Sequence, residues 1–437
     1  MTARKFSGTM AAAALLLAGC GGGMPPAGEL FQEHNDGVMK PMGAPYGIWN
    51  EAPDAAGGAD YDAAVEQLDA LGYLAGSTEV SAGAAVRRHD PARAFEGLNF
   101  YTSGHAPAAI LADMEGRPLH EWRFELKAVW PDYPVYKDSP KTGYWRRAYL
   151  YPNGDVLAIF EGIGIIKVDQ DSNLIWAQQN GAHHDLQVLD DGTIWVLTRA
   201  VKQMPEIHER LPTLEDFATE LAPDGSTRRS ISLLEAAKKS GEIGREFWRR
   251  MGSSGDVLHT NSIELLDGRL ADQNPAFATG SLLLSMLYPD TIAVLDPVAG
   301  EFTWALRGSW RRQHDATVQH DGTLTLFDNR AEAKRTRVIQ VDPATGAETV
   351  LFGGTDAEPF YTFSCGTAAR LPNGNLLATE SDGGRALEVA PDGAIVWEFY
   401  NPHRAGDQGQ YIATLFEVVR LPKDYVQLDL PAPAASP

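Results

Sequence analysis

The chain has 437 residues, of which 44% are hydrophobic and 22% are charged, and its formal net charge at pH 7 is −21. A hydrophobic fraction of this size is normal for a globular protein and argues against extended disorder. So large a negative charge excludes nucleic acid as a partner, because phosphates are neutralised by Lys and Arg. The length fits either several average domains or one large all-β propeller or barrel.

The N-terminus has the pattern of an export signal. Arg4 and Lys5 precede a short apolar stretch, and the sequence LAGC ends at Cys20. The apolar stretch is too short to cross a bilayer as a helix, so residues 1–19 are predicted to be a signal peptide. LAGC resembles a bacterial lipobox, which implies that Cys20 is lipidated and holds a periplasmic or cell-surface protein on a bacterial membrane. A secreted protein with a chance cysteine is the alternative.

Residues 20–95 are predicted to form a tether and an N-terminal extension. The stretch GGGMPPAG directly after Cys20 has the composition of a flexible linker. Residues 59–72 then carry apolar residues at helical spacing and end at a glycine, which predicts a docking helix.

The chain has only one cysteine besides Cys20, namely Cys365. A disulfide framework is therefore excluded. Cys365 is either a nucleophile or a small buried residue at the start of a strand, the latter being the commoner role of a free cysteine.

Strand–turn–strand units recur from residue 96 onward, each with a PNG or DG turn. The turn glycines are Gly154, Gly192, Gly268, Gly322 and Gly374. Each unit is followed by a second strand pair, such as ALEVAPDGAIVWEF. Four strands per repeat are typical of a β-propeller, whose blades bury their faces only against neighbouring blades.

A sixth blade can be assembled from the two ends of the repeat region. GLNFYTSG and AILADMEGRPLHEW supply its strands near the start, and residues 413–422 supply the last one, which would close the ring. Residues 231–251 are predicted to be a helical insertion between the third and fourth units. The sequence thus predicts an all-β, six-bladed β-propeller over residues 96–425, followed by a tail at residues 426–437; seven blades are the main alternative.

The residues before the first strand of each blade are expected to face the central channel, because that strand lies nearest to the axis. They are found by counting back from each turn glycine. Seven positions back lie Arg147, Asp185, Asn261, Asp315 and Thr367; eight back lie Arg146, His184, Thr260, His314 and Gly366; nine back lie Trp145, His183, His259, Gln313 and Cys365. Imidazole, guanidinium and short polar groups are therefore predicted to converge at one end of the channel.

Imidazoles that titrate near neutrality, combined with guanidinium groups, suit an anionic substrate with a proton to move. Phosphate, sulfate and carboxylate all qualify. Zinc is a further candidate, because histidine is a common ligand. However, the histidines lack the spacing of a local ligand pair and arginine repels a cation, so neither a metal nor a cofactor is predicted.

The motifs HHDLQVLDDG, DVLHTNSIELLDG, TIAVLD and QHDATVQHDGTLTLFDN resemble those of the bacterial arylsulfate sulfotransferase family over roughly residues 95–425. The resemblance implies an exported six-bladed propeller that moves sulfuryl groups from a small aryl sulfate to a phenol. It also implies a histidine nucleophile that is transiently sulfated, without the nucleotide donor of cytosolic sulfotransferases.

Carried over to this chain, the resemblance implies that His314 is the nucleophile. It implies that His259 and Asn261 contact the sulfate and assist proton transfer, and that His183 or His184 is a further channel histidine. Leu287 in MLYPD stands closest to the position of a family arginine. The candidates that would replace this arginine as sulfate ligands are Arg146, Arg147 and Arg312.

Two other functional classes fit parts of the sequence. The replacement at Leu287 favours a non-catalytic lipoprotein propeller that binds a ligand or an envelope partner. The stretch VDPATGAETVLF suggests a quinone-dependent dehydrogenase, although such enzymes repeat Trp-ended blade motifs more regularly than this chain does.

Overall fold

The computed structural model describes residues 31–33, 39–41, 83–133, 142–252, 255–405 and 411–431. The predicted signal peptide, Cys20 and the helix expected at residues 59–72 lie outside these ranges. The helices inside them are all too short or too polar to cross a membrane. Six small antiparallel sheets form a ring, which confirms the prediction of a six-bladed β-propeller.

The first half of the chain forms three blades. The elements before and within blade 1 are β1 (Phe31–Glu33), β2 (Met39–Pro41), β3 (Val86–His89), β4 (Leu98–Ser103), β5 (Ala108–Ala112), β6 (Pro118–Arg123) and α1 (Leu126–Val129). Blade 2 consists of β7 (Arg147–Leu150), β8 (Val156–Phe160), β9 (Gly164–Val168) and β10 (Leu174–Gln178). Blade 3 consists of β11 (Ala182–Val188), β12 (Ile194–Gln203), β13 (Pro212–Leu221) and β14 (Thr227–Ser232), and is followed by α2 (Leu233–Lys239), α3 (Gly241–Arg250) and β15 (Gly255–Asp256).

The second half completes the ring. Blade 4 consists of β16 (Thr260–Leu265), β17 (Leu282–Met286), β18 (Thr291–Asp296) and β19 (Glu301–Leu306). Blade 5 consists of β20 (His314–Val318), β21 (Leu324–Asp328), β22 (Arg337–Val341) and β23 (Glu348–Phe352). Blade 6 consists of β24 (Thr367–Arg370), β25 (Leu376–Glu380), β26 (Arg385–Val389) and β27 (Ile395–Tyr400), and is followed by β28 (Arg404–Ala405), β29 (Tyr411–Ile412) and β30 (Leu415–Leu421).

The two ends of the propeller sequence close the ring. β30 pairs with β4, so the last strand of the chain is the innermost strand of blade 1. β3 pairs with β27 and adds a fifth, outer strand to blade 6. Blades 1 and 6 therefore both contain strands from distant parts of the sequence.

All five turn glycines have left-handed backbone, with φ between 82° and 89°. Glycine adopts this conformation without the steric penalty that other residues incur. Four of the turns join the first two strands of a blade directly, as predicted. In blade 4 the prediction of a tight hairpin at Gly268 was wrong, because residues 266–281, with a 3-10 helix at Pro275–Phe277, separate β16 from β17.

The hydrophobic core lies between adjacent blades. The second strands β8, β17 and β21 are buried along their whole length, whereas the outer strands β10 and β23 are partly exposed. One cluster, for example, joins Leu283 and Val294 of blade 4 to Leu324 and Ile339 of blade 5. Each blade thus buries its faces against its neighbours.

The insertion predicted at residues 231–251 is helical. Ser232 caps α2 by accepting a hydrogen bond from the backbone N–H of Glu235 at 3.0 Å, which is the sequence pattern of a capping box. Phe247 of α3 packs edge-on against Phe302 of blade 4. The chain then forms β15, which pairs in parallel with β13 and brings Asp256 to His259.

Candidate active site

A small cavity lies at the end of the channel where the first strands of the blades begin. Its lining residues are Arg146, Arg147, His184, Asn261, His314, Asp315, Gly366, Thr367 and Phe416. All except Phe416 stand seven or eight positions before a turn glycine. The residues nine positions before it, which include His183 and His259, are buried behind this lining.

Irregular backbone at the start of the inner strands places the polar side chains. β-Bulges interrupt β11 around His184 and β20 around Asp315. Both residues have left-handed backbone, with φ of 53° and 52°, and His259 shares this conformation at 51°. Such backbone is unfavourable for residues other than glycine and is found most often at functional sites. Bulges of this kind re-aim side chains next to active sites.

His314 is held in one neutral tautomer. Its Nδ1 lies 2.8 Å from Asn329 Oδ1 and 3.1 Å from the Arg312 carbonyl oxygen. The Asn329 amide nitrogen donates to the carbonyls of Thr362 and Cys365, which fixes Oδ1 as the atom that faces the imidazole. Because both neighbours of Nδ1 are acceptors, Nδ1 carries the hydrogen and Nε2 carries the lone pair.

The surroundings of His314 keep the ring uncharged. Burial, followed by the electrostatic influence of His259, lowers the pKa of His314 to about 3. A neutral imidazole with a bare Nε2 is the form that attacks an electrophile.

His259 is oriented by a buried carboxylate. Its Nδ1 lies 2.8 Å from Asp256 Oδ2, and its backbone N–H donates to the other carboxylate oxygen. Asp256 therefore holds the hydrogen of His259 on Nδ1. Burial and the guanidinium groups of Arg199 and Arg312 hold the pKa of His259 well below its usual value.

His183 and His184 form a pair with their Nδ1 atoms 2.8 Å apart. Burial lowers the pKa of both imidazoles well below the usual value. The positive charge of Arg199 adds to this effect at His183, and that of Arg146 adds to it at His184. His184 lines the cavity, whereas His183 lies behind it, with Nε2 3.7 Å from Asp216 Oδ1. The ring of His184 also packs edge-on against His259, at 5.0 Å between centroids.

Glu161, His183 and His184 place three possible metal-ligand atoms within 4.8 Å of one another. Arg146 Nε lies 3.6 Å from this Glu161 carboxylate and Arg199 Nη1 lies 3.9 Å from it. Two guanidinium groups beside the only acidic ligand oppose a cation, so the charges fit an anionic substrate better than a metal.

The candidate arginines have different environments. Arg146 is buried, its Cζ lies 5.0 Å from the centre of the Phe416 ring, and its Nε has no hydrogen-bond partner among the described residues. Arg147 is surrounded by three carboxylates, at 2.8 Å from Asp185, 2.7 Å from Glu417 and 3.9 Å from Asp315.

Arg312 does not line the cavity. Its backbone N–H donates to Asp290, and its guanidinium lies above the ring of Phe363, at 5.6 Å from the centroid. It acts on the site by lowering the pKa of His259.

Asn261 lies beside the nucleophile candidate. Its amide nitrogen donates to the Gln313 carbonyl at 2.8 Å and has a second hydrogen for a ligand in the cavity. Leu287 is buried and apolar. The Cys365 thiol is also buried, and burial raises its pKa, which opposes a role as nucleophile.

Several site residues were not predicted from the sequence. These are Glu161, Asp216, Asp256, Asn329 and Phe416. Asn329 ends the motif TLTLFDN and Asp256 begins DVLH. Both belong to motifs from which other residues, including His314 and His259, were predicted as site residues. Most of the five reach the site from strands other than the first strand of a blade, so the alignment on turn glycines did not include them.

Structural comparison finds several proteins at low similarity. A protein of unknown function from Bacteroides caccae is 11% identical, with a TM-score of 0.44 over 70% of this chain and 94% of that one. The Cps50 (Swd1) β-propeller domain of Myceliophteria thermophila is 10% identical, with a TM-score of 0.41 over 75% and 90%. Virginiamycin B lyase from Staphylococcus aureus is 12% identical, with a TM-score of 0.41 over 76% and 94%. These similarities are too distant to inform the function.

No curated protein matches the sequence. The sequence model of the family described as Arylsulfotransferase (ASST) matches residues 147–402, which is more than half of the chain. This match confirms the resemblance drawn from the motifs and supports arylsulfotransferase activity in general, with small aryl sulfates and phenols as substrates. The chain belongs to the arylsulfotransferase family.

Proposed function

We propose that the protein is an exported, membrane-anchored enzyme that transfers a sulfuryl group from an aryl sulfate to a phenol through a sulfated His314. The observation that carries this proposal is the state of His314. Its Nδ1–H is held by Asn329, and its pKa of about 3 keeps Nε2 unprotonated at the wall of the cavity.

Arg146 and Asn261 are the proposed sulfate ligands. Arg146 brings a buried positive charge whose Nε lies 3.6 Å from Glu161 but has no hydrogen-bond partner in the described part of the chain, and Asn261 brings an amide hydrogen. In this proposal Arg146 takes over the role of the family arginine, whose position is closest to Leu287 in this chain. Fixed donors and charge around the equatorial oxygens stabilise the negative charge that develops in the transition state.

In the donor half-reaction, His314 Nε2 attacks sulfur, the N–S bond forms and the bond between sulfur and the aryl oxygen breaks. The phenolate leaves and takes up a proton. In the acceptor half-reaction, the oxygen of a second phenol attacks sulfur, the N–S bond breaks and the phenol gives its proton to His184 or His259. A covalent intermediate of this kind predicts ping-pong kinetics.

The proposed location rests on the N-terminal sequence, with Cys20 as the lipidated residue. Cys20→Ala is expected to move the protein from the membrane fraction to the soluble fraction and to abolish labelling by a fatty acid. Membrane retention with unchanged labelling would contradict the proposed anchor.

The chemical test compares two histidines of the same blade. His314→Ala should abolish transfer from a chromogenic aryl sulfate to a phenol, whereas His320→Ala should retain it, because His320 is exposed and close to the turn glycine. A peptide containing His314 should gain one sulfuryl mass after exposure to donor alone. Near wild-type transfer by His314→Ala would show that the assignment is wrong. Ligand binding without turnover by the wild type would favour the non-catalytic alternative.

A further inference from the structure

The proposed reaction moves one proton in each of its two halves. The donor half-reaction consumes one at the leaving phenolate, and the acceptor half-reaction releases one from the incoming phenol. The four buried histidines of the site do not store this proton, because burial holds the pKa of each far below neutrality. A different buried group that held the proton between the two halves would couple them.

Besides His314, which is the proposed nucleophile, His184 lines the cavity, whereas His259 and His183 do not. The Nδ1 atoms of His183 and His184 lie 2.8 Å apart, so one of them donates to the other. On its far side, His183 Nε2 faces Asp216 Oδ1 at 3.7 Å. His183 thus lies between a cavity residue and a buried carboxylate. Its Nε2 and Asp216 Oδ1 both have no hydrogen-bond partner among the described residues, so a small shortening of their separation would pair them.

Asp216 is suited to hold a proton. Its Oδ2 accepts a hydrogen bond from the backbone N–H of Thr260 at 2.7 Å, but Oδ1 is buried with no hydrogen-bond partner in the described ranges. Burial and the neighbouring Asp256 carboxylate raise the pKa of Asp216 to about 7. It is therefore poised between its two protonation states near neutral pH.

We propose that Asp216, His183 and His184 form a proton relay that serves both half-reactions; this inference rests on the proposed function. In one state Asp216 is protonated, His183 carries hydrogen on Nδ1 and His184 carries it on Nε2, as an acid facing the cavity. In the other state Asp216 is ionised, the hydrogens lie on His183 Nε2 and His184 Nδ1, and His184 Nε2 is a base.

The protons balance over one turnover. In the donor half-reaction, His184 Nε2–H protonates the leaving phenolate, His183 passes its Nδ1 hydrogen to His184, and Asp216 passes its proton to His183. In the acceptor half-reaction, His184 Nε2 takes the proton of the phenol and the same steps run in reverse. Each imidazole begins and ends neutral, which agrees with the burial of the rings.

The groups that face the relay set its pH range. Asp216 is faced by Asp256 from β15 and by Arg199 from β12, and the carbonyl of Thr198 interacts with the His183 ring. His184 is faced by Glu161 after β8 and by the cations and rings at the cavity, namely Arg146, His183, His259 and His314.

The test measures the burst of phenol released when donor is mixed with enzyme in the absence of acceptor. Asp216→Asn is compared with Asp382→Asn, a matched control. Asp382 is another buried carboxylate that accepts a backbone N–H at 2.7 Å, and burial raises its pKa to about 6, but it lies in blade 6 outside the relay. The donors are phenyl sulfate, which needs a proton for its leaving group, and 4-nitrophenyl sulfate, which needs it much less.

Asp216→Asn should slow the burst with phenyl sulfate by about 10²-fold or more, the usual effect of losing general acid catalysis. The burst with 4-nitrophenyl sulfate should change only a few-fold. The decline of the wild-type burst above about pH 7, expected from the pKa of Asp216, should disappear. Asp382→Asn should affect both donors alike and should retain the decline.

His183→Gln breaks the same relay and should reproduce this selectivity, so it decides the question if Asp216→Asn does not fold. Equal slowing with both donors, or an unchanged decline above neutrality, would overturn the relay. Failure of the proposed function is distinguishable, because the wild type would then give no burst, or His314→Ala would give the same burst as the wild type.

Discussion

Arg146 and Arg147 are adjacent in the sequence and both line the cavity, but their charges are balanced differently. Arg146 lies 3.6 Å from the single carboxylate of Glu161, whereas Arg147 is in contact with Asp185 and Glu417 and lies close to a third carboxylate. A guanidinium that is already paired with carboxylates has little remaining attraction for a substrate anion. The sulfate ligand is therefore assigned to Arg146.

Arg146→Met is expected to lower kcat/KM for an aryl sulfate by about 10²–10³-fold, the usual cost of removing one donor from a site that stabilises negative charge. The protein should remain folded, because Arg199 still lies 3.9 Å from the buried Glu161 carboxylate. Arg147→Met should act mainly on stability, because it leaves the buried Asp185 and the partly buried Glu417 without their cation. Steady-state kinetics and chemical denaturation of both variants separate the two effects. A larger kinetic loss in Arg147→Met would reverse the assignment.

At this scale the sequence predicts positions better than roles. Counting back from the turn glycines identified Arg146, His184 and His314 as channel residues, because every blade starts in the same way. It could not show that Arg147 is neutralised by Glu417, since this carboxylate comes from the closing strand about 270 residues later. Electrostatic balance depends on contacts between blades, which a repeat pattern within one blade does not contain.

The inner strands of successive blades are joined by side chains. The backbone N–H groups of one strand donate to side-chain oxygens of the preceding blade: Ile263 to Asp185, Leu265 to Gln187, Ala316 to Ser262, Val318 to Glu264 and Ala368 to Asp315. These bonds satisfy the free edges of the strands around the channel. Most of these acceptors are neutral or have a nearby cation. Glu264 is an acid in this position, and burial raises its pKa to about 7.

Glu264 and Gln187 have equivalent roles, because each accepts a backbone N–H from the inner strand of the next blade. Each can therefore be replaced by the residue type found at the other position. Because the pKa of Glu264 is raised from 4.5 to about 7 on folding, the folded protein binds the proton more tightly. Its contribution to stability is therefore complete below about pH 4.5 and is lost as the pH rises to about 7. Arg269 attracts the ionised carboxylate, whereas Asp267 and Asp315 repel it.

Glu264→Gln should accordingly have nearly wild-type stability at pH 5 and should exceed the wild type at pH 8, by on the order of 1–3 kcal/mol. Gln187→Glu should show the opposite change and lose stability at pH 8. Denaturant unfolding at the two pH values measures both. If the difference between each variant and the wild type is the same at pH 5 and pH 8, Glu264 does not titrate in this range.

The elements themselves were largely predictable, since turn glycines and alternating strands repeat through the chain. The exception was blade 4, where Gly268 belongs to a longer connection and not to a hairpin. The carboxylates that orient the histidines were not predictable by the same method. Glu161 follows the second strand of blade 2, Asp216 lies in the third strand of blade 3, and Asp256 is brought in by the helical insertion. Alignment on first strands samples only one ring of residues around the axis.

The whole molecule depends on how the ring is closed, and Arg420 of β30 lies at this junction. Its side chain is buried and pairs with Glu388 of blade 6 at 2.8 Å, and it donates to Asn99 of blade 1 at 2.7 Å. One guanidinium thus links the closing strand to β4 of its own blade and to the neighbouring blade 6. Glu388 in turn accepts from the backbone N–H of Phe95 at 2.6 Å.

Breaking a buried ion pair by removing one partner costs about 3–5 kcal/mol, because the other charge is left buried without compensation. Arg420→Met should lower the free energy of unfolding by this amount, which is a large part of the stability of a typical protein. Arg93→Ala is the control, because Arg93 pairs with Asp392 across the same junction but both side chains are exposed, at 41% and 62%. Its loss should cost at most about 1 kcal/mol.

The double variant Arg420→Met with Glu388→Gln tests whether the unpaired charge of Glu388 causes the loss of stability. Gln keeps an oxygen for the N–H of Phe95 but removes the charge that Arg420→Met leaves unpaired, so the double variant should be more stable than Arg420→Met alone. Guanidinium unfolding of the three variants measures these differences. If Arg420→Met costs no more than Arg93→Ala, the ring is held closed by the strand pairing of β30 and β4 and by apolar packing, and the buried pair adds nothing to it.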